Sequence, residues 1–104
     1  MDLGISTNPT PELYTIKVTG EIDISNADSL RNAIDLALKQ PTEAVELDFA
    51  QVSYIDSTGI GVLVGAAHHA ADHSKRFSCT NVQPPVMRVV QLLGVDQEIS
   101  ITAA

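Results

Sequence analysis

The chain has 104 residues, enough for one hydrophobic core, and its 44% content of hydrophobic residues is typical of a globular domain. Its 13 acidic residues outnumber the 6 basic ones, and the net charge of −7 argues against nucleic acid or an anionic membrane as partner, because both require a basic surface. The N-terminus lacks the basic and long apolar regions of a signal peptide, and the longest apolar run is too short to span a membrane. We therefore expect one cytoplasmic domain over residues 1–104.

The first part of the chain predicts two strands and a helix. Residues 3–7 alternate in polarity, a turn follows at 8–11, and residues 13–19 alternate again, so we predict two strands that pair antiparallel. Ser25 or Asn26 can cap the helix that follows. The apolar residues of this helix recur at helical spacing, at Ala27, Leu30, Ile34, Ala37 and Leu38.

The middle of the chain predicts a strand followed by the most apolar helix. In residues 45–49 apolar side chains alternate with acidic ones, so one face of the sheet should be polar and the helices should lie mainly on the other face. A helix is predicted over residues 57–72, and its apolar character predicts that it is the most buried helix. Gly61 and Gly65 suggest that its backbone approaches the sheet closely, since glycine inside a helix costs about 1 kcal/mol relative to alanine.

The last third predicts a strand, a helix and a final strand. Residues 77–80 form the strand, and the single cysteine, Cys79, is expected to be a buried apolar side chain on it. A proline pair opens the next helix, which Gly94 ends. Ile99 and Ile101 mark the last strand. The order β-β-α-β-α-β-α-β predicts an α/β fold with right-handed crossovers and a mixed sheet, in which parallel strands follow the antiparallel N-terminal pair.

The junction after the central strand carries the sequence Asp56-Ser57-Thr58-Gly59. A serine at a helix N-terminus can be a cap, a nucleophile or a phosphate acceptor, because free N–H groups and the helix dipole favour negative charge there. A nucleophile needs a base within reach. The three histidines lie several helical turns away, and the residue two before Ser57 is Ile55 rather than the glycine of a nucleophile elbow. A small hydrolase is therefore the weakest hypothesis.

Two further motifs are better explained by structure than by chemistry. His69 and His73 have the i, i+4 spacing of metal ligands, but the sequence shows no evident third ligand, and His68 has no assigned role. Gly59-Ile60-Gly61 resembles the start of a dinucleotide-binding fingerprint, yet Val64 stands where glycine or alanine is needed. We expect no metal and no cofactor.

Five short stretches together resemble the STAS domain, and most closely its anti-sigma factor antagonist branch. They are Gly20-Glu21-Ile22-Asp23, the run from Asp56 to Leu63, Asn81-Val82, Pro84-Pro85-Val86 and Leu93-Gly94. The resemblance covers nearly the whole chain, so it implies a single STAS domain. The Asp-Ser-Thr-Gly element is the informative part, because it marks the phosphorylatable branch.

The resemblance implies regulation by exchange of partners rather than enzymatic activity. In that family the unphosphorylated protein binds an anti-sigma factor that is itself a serine kinase, and the sigma factor is released. The kinase uses ATP and Mg²⁺ to phosphorylate the antagonist, which then dissociates, and a PP2C-type phosphatase reverses the modification. Carried onto this chain, Ser57 is the phosphate acceptor. The implied partner-binding residues are Glu21, Asp23, Asp56, Thr58, Gly59, Ile60 and Gly61.

The predicted topology is compatible with such a switch. Asp23 and Ser57 both follow strands and precede helices, so their loops lie together if those strands are neighbours. A phosphate there would meet Asp23 and Asp56 and would have to enter a surface built for a neutral hydroxyl. The alternative hypothesis is a non-switching STAS subunit of a stress-signalling or ABC-type transport complex. In either case we expect a monomer when the protein is free.

Overall fold

A computed structural model describes residues 3–104 as a five-stranded mixed sheet with three helices, and the predicted order of elements is confirmed. The strands follow one another across the sheet in sequence order. Their bounds are β1 Leu3–Pro9, β2 Leu13–Ile22, β3 Ala44–Ile55, β4 Arg76–Val82 and β5 Ser100–Ala103. The helices are α1 Ala27–Leu38, α2 Ser57–Asp72 and α3 Pro84–Leu92, and a short 3-10 helix, Val95–Gln97, precedes β5.

The strand pairing is antiparallel between β1 and β2 and parallel from β2 to β5, as predicted. Val45, Leu47 and Phe49 of β3 are fully buried, whereas Glu46 and Asp48 between them are only partly buried. This alternation means that the helices cover one face of the sheet and leave the other face polar.

Strand β3 extends to Ile55, well past the predicted end at Phe49. Lys17 of β2 pairs with Asp48 of β3, and Thr19 pairs with Gln51. Over this interval β2 advances by two residues, whereas β3 advances by three. A second shift of one residue follows closely. An extra residue in one strand is a β-bulge, which changes the spacing of the residues that face the core. The buried residues of β3 therefore shift from a spacing of two to a spacing of three, at Phe49, Val52 and Ile55.

The expected close approach of Gly61 and Gly65 to the sheet is wrong. Apart from the adjacent residues and the nearby backbone of α2 itself, no described atom lies within 4 Å of the position that a Cβ would take at either glycine, and both residues are exposed. The close approach is at Gly59, where a Cβ would lie 2.7 Å from Ile22 Cγ2 and 2.7 Å from Ile55 Cγ1. The reason is that Gly59 lies on the side of α2 that faces Ile22 and Ile55, whereas Gly61 and Gly65 lie on an exposed side of the helix.

Helix α2 is also not distinctly more buried than α1. Six of its 16 residues are buried, compared with five of 12 in α1, because glycines, histidines and small residues form its outer face.

The last strand begins one residue later than predicted. Ile99 lies just before β5, where it is buried and donates its N–H to the Val95 carbonyl oxygen at 3.1 Å. Cys79 is buried on β4 as predicted, and burial raises the pKa of its thiol, with smaller contributions from Asp48 and Glu46.

Candidate functional site

The loops after β2 and β3 lie side by side at the same end of the sheet. Ile22 and Ile55 are paired in the parallel register, and the Asp56 N–H donates to the Ile22 carbonyl oxygen at 3.1 Å. Asp23 and Asp56 are the next residues along the two strands. The structure thus brings together the two loops that carry the predicted site residues.

Asp56, and not Ser57, is the N-cap of α2. Its backbone is extended, and its Oδ1 accepts a hydrogen bond from the Gly59 N–H at 3.0 Å. Its carbonyl oxygen accepts from the Ile60 N–H, also at 3.0 Å. The interpretation of Ser57 as a cap is therefore wrong, because the carboxylate one residue earlier already satisfies this first-turn donor.

Ser57 is the first residue of α2, and it is exposed. Among residues 3–104, no hydrogen-bonding partner is found for its hydroxyl. The first N–H groups of a helix have no intrahelical acceptors, so a group attached here meets a site that favours negative charge. Ser57 is thus exposed to solvent and is not part of the buried core of the domain.

The histidines lie at the other end of α2 and cannot serve Ser57 as a base. His68 is 11 residues further along, about 16 Å at the helical rise per residue. His68 Nε2 lies 3.7 Å from Glu98 Oε1, and His69 Nδ1 lies 3.5 Å from Asp35 Oδ1. His73 Nδ1 contacts the His69 carbonyl oxygen at 2.8 Å. Within the described chain, no group of three or more His, Cys, Asp or Glu residues is arranged to hold a metal ion.

The loop after β2 is held by a buried asparagine. Asn26 occupies the N-cap position of α1, but its side chain makes no capping bond to the helix. Instead, its Oδ1 accepts from the Asp23 N–H at 2.9 Å, and its Nδ2 donates to the Glu21 carbonyl oxygen at 2.8 Å. These two bonds clamp the backbone on either side of Ile22.

Asp23 is an anion held within this loop. Its Oδ1 accepts hydrogen bonds from both the hydroxyl and the N–H of Ser25. These bonds, the hydroxyl first, hold the pKa of the Asp23 carboxyl below its ordinary value because they stabilise the charged form. A fixed negative charge therefore stands beside the Ser57 loop at neutral pH.

The remaining predicted partner-binding residues differ in their accessibility. Glu21, Asp56 and Thr58 are partly exposed and Gly61 is exposed, but Gly59 and Ile60 are buried. Gly59 and Ile60 therefore shape the loop from inside the free domain.

Two exposed apolar residues near the site were not identified from the sequence. Ile24 is 79% exposed in the loop after β2, and Tyr54 is 47% exposed on β3, where it pairs in register with Glu21. The only signal in the sequence was an isoleucine placed among polar loop residues. Its exposure depends on the conformation of the loop, which periodicity does not determine.

A shallow groove lies between α1 and α2, one helical turn beyond Ser57. Its volume is about 210 Å³, and the lining residues are Arg31, Ile34, Asp35, Gly61, Val62, Gly65, Ala66 and His69. The two exposed glycines open this groove, because larger side chains there would fill it.

No helix within residues 3–104 is both long enough and apolar enough to cross a membrane.

A comparison with protein families matches residues 5–102 to the family model described as "Mlab, STAS domain". The chain belongs to the STAS domain family. The anti-sigma-B factor antagonist of Staphylococcus epidermidis is 30% identical to it over 95 residues, which cover 91% of this chain and 88% of the relative.

Solved structures show the same fold at lower identity. An anti-sigma factor antagonist from Mycobacterium paratuberculosis superposes with a TM-score of 0.88 at 20% identity, covering 99% of this chain and 87% of that one. The phosphorylated form of the Bacillus cell fate determinant SpoIIAA superposes with a TM-score of 0.72 at 23% sequence identity, and the match covers 94% of this chain and 90% of that one. A sulfate transporter family protein from Wolinella succinogenes also superposes with a TM-score of 0.72, at 18% identity, and the match covers 88% of this chain and 75% of that one.

Proposed function

We propose that this STAS domain is an anti-sigma factor antagonist whose partner binding is switched off by phosphorylation of Ser57. The observation that carries the proposal is the position of Ser57, exposed at the start of α2 beside the Asp23 loop. The name of the Staphylococcus relative, an anti-sigma-B factor antagonist, supports the regulatory role. The domain acts by binding and has no catalytic activity of its own.

The unphosphorylated surface presents a neutral hydroxyl on a loop that adjoins Asp23 and follows Asp56 directly. Its proposed partner is an anti-sigma factor that is also a serine kinase and uses ATP and Mg²⁺. When the antagonist is bound, the anti-sigma factor no longer holds the sigma factor. Glu21, Asp23, Asp56, Thr58 and Gly61 contribute exposed contacts, while Gly59 and Ile60 support them from within.

Phosphorylation changes the charge of this surface. It adds about two negative charges next to Asp56, whose carboxylate already occupies the Gly59 N–H. The phosphate is therefore repelled by Asp23 and Asp56, and it must also enter a partner surface that fits a hydroxyl. A hundredfold loss of affinity corresponds to only about 2.8 kcal/mol. A PP2C-type phosphatase would remove the phosphate and restore binding in the cytoplasm.

The test is to incubate the chain with the purified candidate kinase, ATP and Mg²⁺, and to map the modified residue by mass spectrometry. Ser57→Ala should abolish phosphorylation. Ser29→Ala, at an exposed position of α1 outside the proposed contacts, is the control and should be phosphorylated normally. Ser57→Asp should bind the kinase more weakly than the unmodified chain. Undiminished phosphorylation of Ser57→Ala would disprove the assignment of Ser57.

The second candidate is a non-switching interaction subunit of a stress-signalling or transport complex. It is favoured by the fold shared with the sulfate transporter family protein, and not by any feature of the Ser57 loop. This candidate predicts a stable complex that is indifferent to ATP and to Ser57→Asp. Copurification with a transporter ATPase, rather than with a sigma-factor kinase, would support it.

A further inference from the structure

Ile24 is an apolar side chain held in solvent by a hydrogen-bonded loop. It is 79% exposed, although isoleucine is among the residues most often buried in proteins. Its neighbour Ser25 is bonded to the Asp23 carboxylate, and the buried Asn26 clamps the backbone of Glu21 and Asp23. These hydrogen bonds therefore hold the loop in a conformation that leaves the Ile24 side chain exposed to solvent in the free protein.

Ile24 lies in the loop adjacent to the one that carries Ser57, the proposed phosphate acceptor. Ile22 and Ile55 are paired across β2 and β3, and Ile24 and Ser57 each stand two residues beyond their member of this pair. Leu92, which is also 79% exposed, lies instead at the C-terminal end of α3. Of these two equally exposed apolar residues, Ile24 is the one placed at the switch.

The groups around Ile24 are mainly acidic. Glu21 and Asp23 precede it in the loop, Asp28 lies in the first turn of α1, and Asp56 caps α2 from the adjacent loop. Arg31, one turn further along α1, is paired with Asp28. The charge that complements this ring is positive, so the surface fits a protein pocket and not an anionic lipid bilayer.

We infer that Ile24 is the apolar anchor of the partner interface, inserted into a hydrophobic pocket of the partner that is bordered by lysine or arginine side chains. The inference rests on the proposed function, since the partner in question is the kinase that acts on Ser57. Interfaces commonly have an apolar core inside a polar rim, and a few buried side chains carry most of the binding energy. The acidic ring sets the rate and orientation of encounter, while Ile24 supplies affinity and selectivity among related kinases.

The experiment compares the full chain with Ile24→Ala, Ile24→Val and Leu92→Ala in titration calorimetry against the purified serine-kinase anti-sigma factor of the same organism. Ile24→Ala should weaken binding about ten- to a hundredfold, whereas Ile24→Val should retain most of the affinity. Leu92→Ala is the matched control of equal exposure, and it should leave binding unchanged. All three variants should unfold within a few degrees of the parent, because neither side chain packs in the free domain.

Salt separates the anchor from the acidic ring. Between about 0.05 M and 0.5 M salt the binding of every variant should weaken in parallel, because screening acts on the ring charges. The ratio of affinities between the parent and Ile24→Ala should remain constant, because an apolar contact is not screened. A ratio that falls to one at high salt would overturn the inference.

The outcomes distinguish this inference from the function on which it rests. If the kinase binds and phosphorylates the parent and Ile24→Ala equally well, the role of Ile24 in the interface is disproved, while the proposed phosphorylation of Ser57 is supported. If the kinase neither binds nor phosphorylates the parent chain, both fail. Co-sedimentation with phosphatidylglycerol vesicles that Ile24→Ala abolishes would show that Ile24 inserts into lipid and would also overturn the inference.

Discussion

The Asp56 N–H donates to the Ile22 carbonyl oxygen at 3.1 Å, and this bond joins the two loops of the candidate site. It continues the parallel pairing of β2 and β3 by one residue beyond the strands. As a result, the Asp56 cap of α2 and the clamped Asp23 loop are joined through the backbone. A change in the conformation of either loop should therefore alter the position of Ser57.

Gly59 has no room for a side chain, which predicts a sharp contrast with Gly61. A Cβ at Gly59 would lie 2.7 Å from each of two buried isoleucines, so Gly59→Ala should destabilise the domain by about 1–3 kcal/mol. Beyond the neighbouring residues and backbone of α2, a Cβ at Gly61 meets no described atom within 4 Å, so Gly61→Ala should stabilise the helix by about 0.5–1 kcal/mol. Urea unfolding of both variants measures the difference. Equal stabilities would contradict the packing described for the first turn of α2.

The Asp56 carboxylate should stabilise α2 as its cap. Asp56→Ala removes the acceptor for the Gly59 N–H and should cost about 0.5–2 kcal/mol, while Asp56→Asn keeps an acceptor and should cost less. Thermal unfolding of the two variants provides the comparison. If alanine and asparagine are equally destabilising, the side-chain cap does not contribute.

The Asn26 clamp should matter for stability as well as for the site. Asn26→Ala leaves the Asp23 N–H and the Glu21 carbonyl oxygen without this partner, at a cost of about 0.5–1.5 kcal/mol for each part-buried hydrogen bond lost. The same variant should lower kinase affinity, because the loop that presents Ile24 is no longer fixed. Ser29→Ala, at an exposed position of α1, is the control and should change neither quantity. Retention of full affinity in Asn26→Ala would show that the loop keeps its form without the clamp.

The pKa of Asp23 should depend on Ser25. The Ser25 hydroxyl and N–H lower this pKa from 3.8, so Ser25→Ala should raise it back towards that value. Because the folded pKa lies below the unfolded one, the stabilising contribution is present above the unfolded pKa and is lost as the pH falls through the folded value. The pKa of Asp23 in the parent and in Ser25→Ala can be measured from the carboxyl chemical shift, followed by NMR from pH 6 to about pH 2. Binding at neutral pH should not depend on this shift, since Asp23 is ionised in both proteins. An unchanged pKa in Ser25→Ala would contradict the bonds described.

Most of the architecture could be predicted from the sequence because it depends on local periodicity. Alternation in β1 and β2 and helical spacing in α1 each report which residues face the core, and short connections restrict the topology. The Asp-Ser-Thr-Gly element, together with the other matching stretches, was sufficient to indicate the family. The position of Ser57 at a helix start also followed, since it needed only a strand end and a helix beginning.

The tertiary structure alone decided how the site is built. Bulges in β3 broke the alternation, so the sequence did not show that this strand runs to Ile55. That extension pairs Ile55 with Ile22, leaves no space at Gly59, and brings Asp56 beside the Asp23 loop. The capping role of Asp56 and the exposure of Ile24 depend on hydrogen bonds between backbone and side chains whose partners are chosen by register and loop conformation. Hydrophobic periodicity carries no information about either, which is why the sequence located the Ser57 loop at a helix start but not the bonds that shape it.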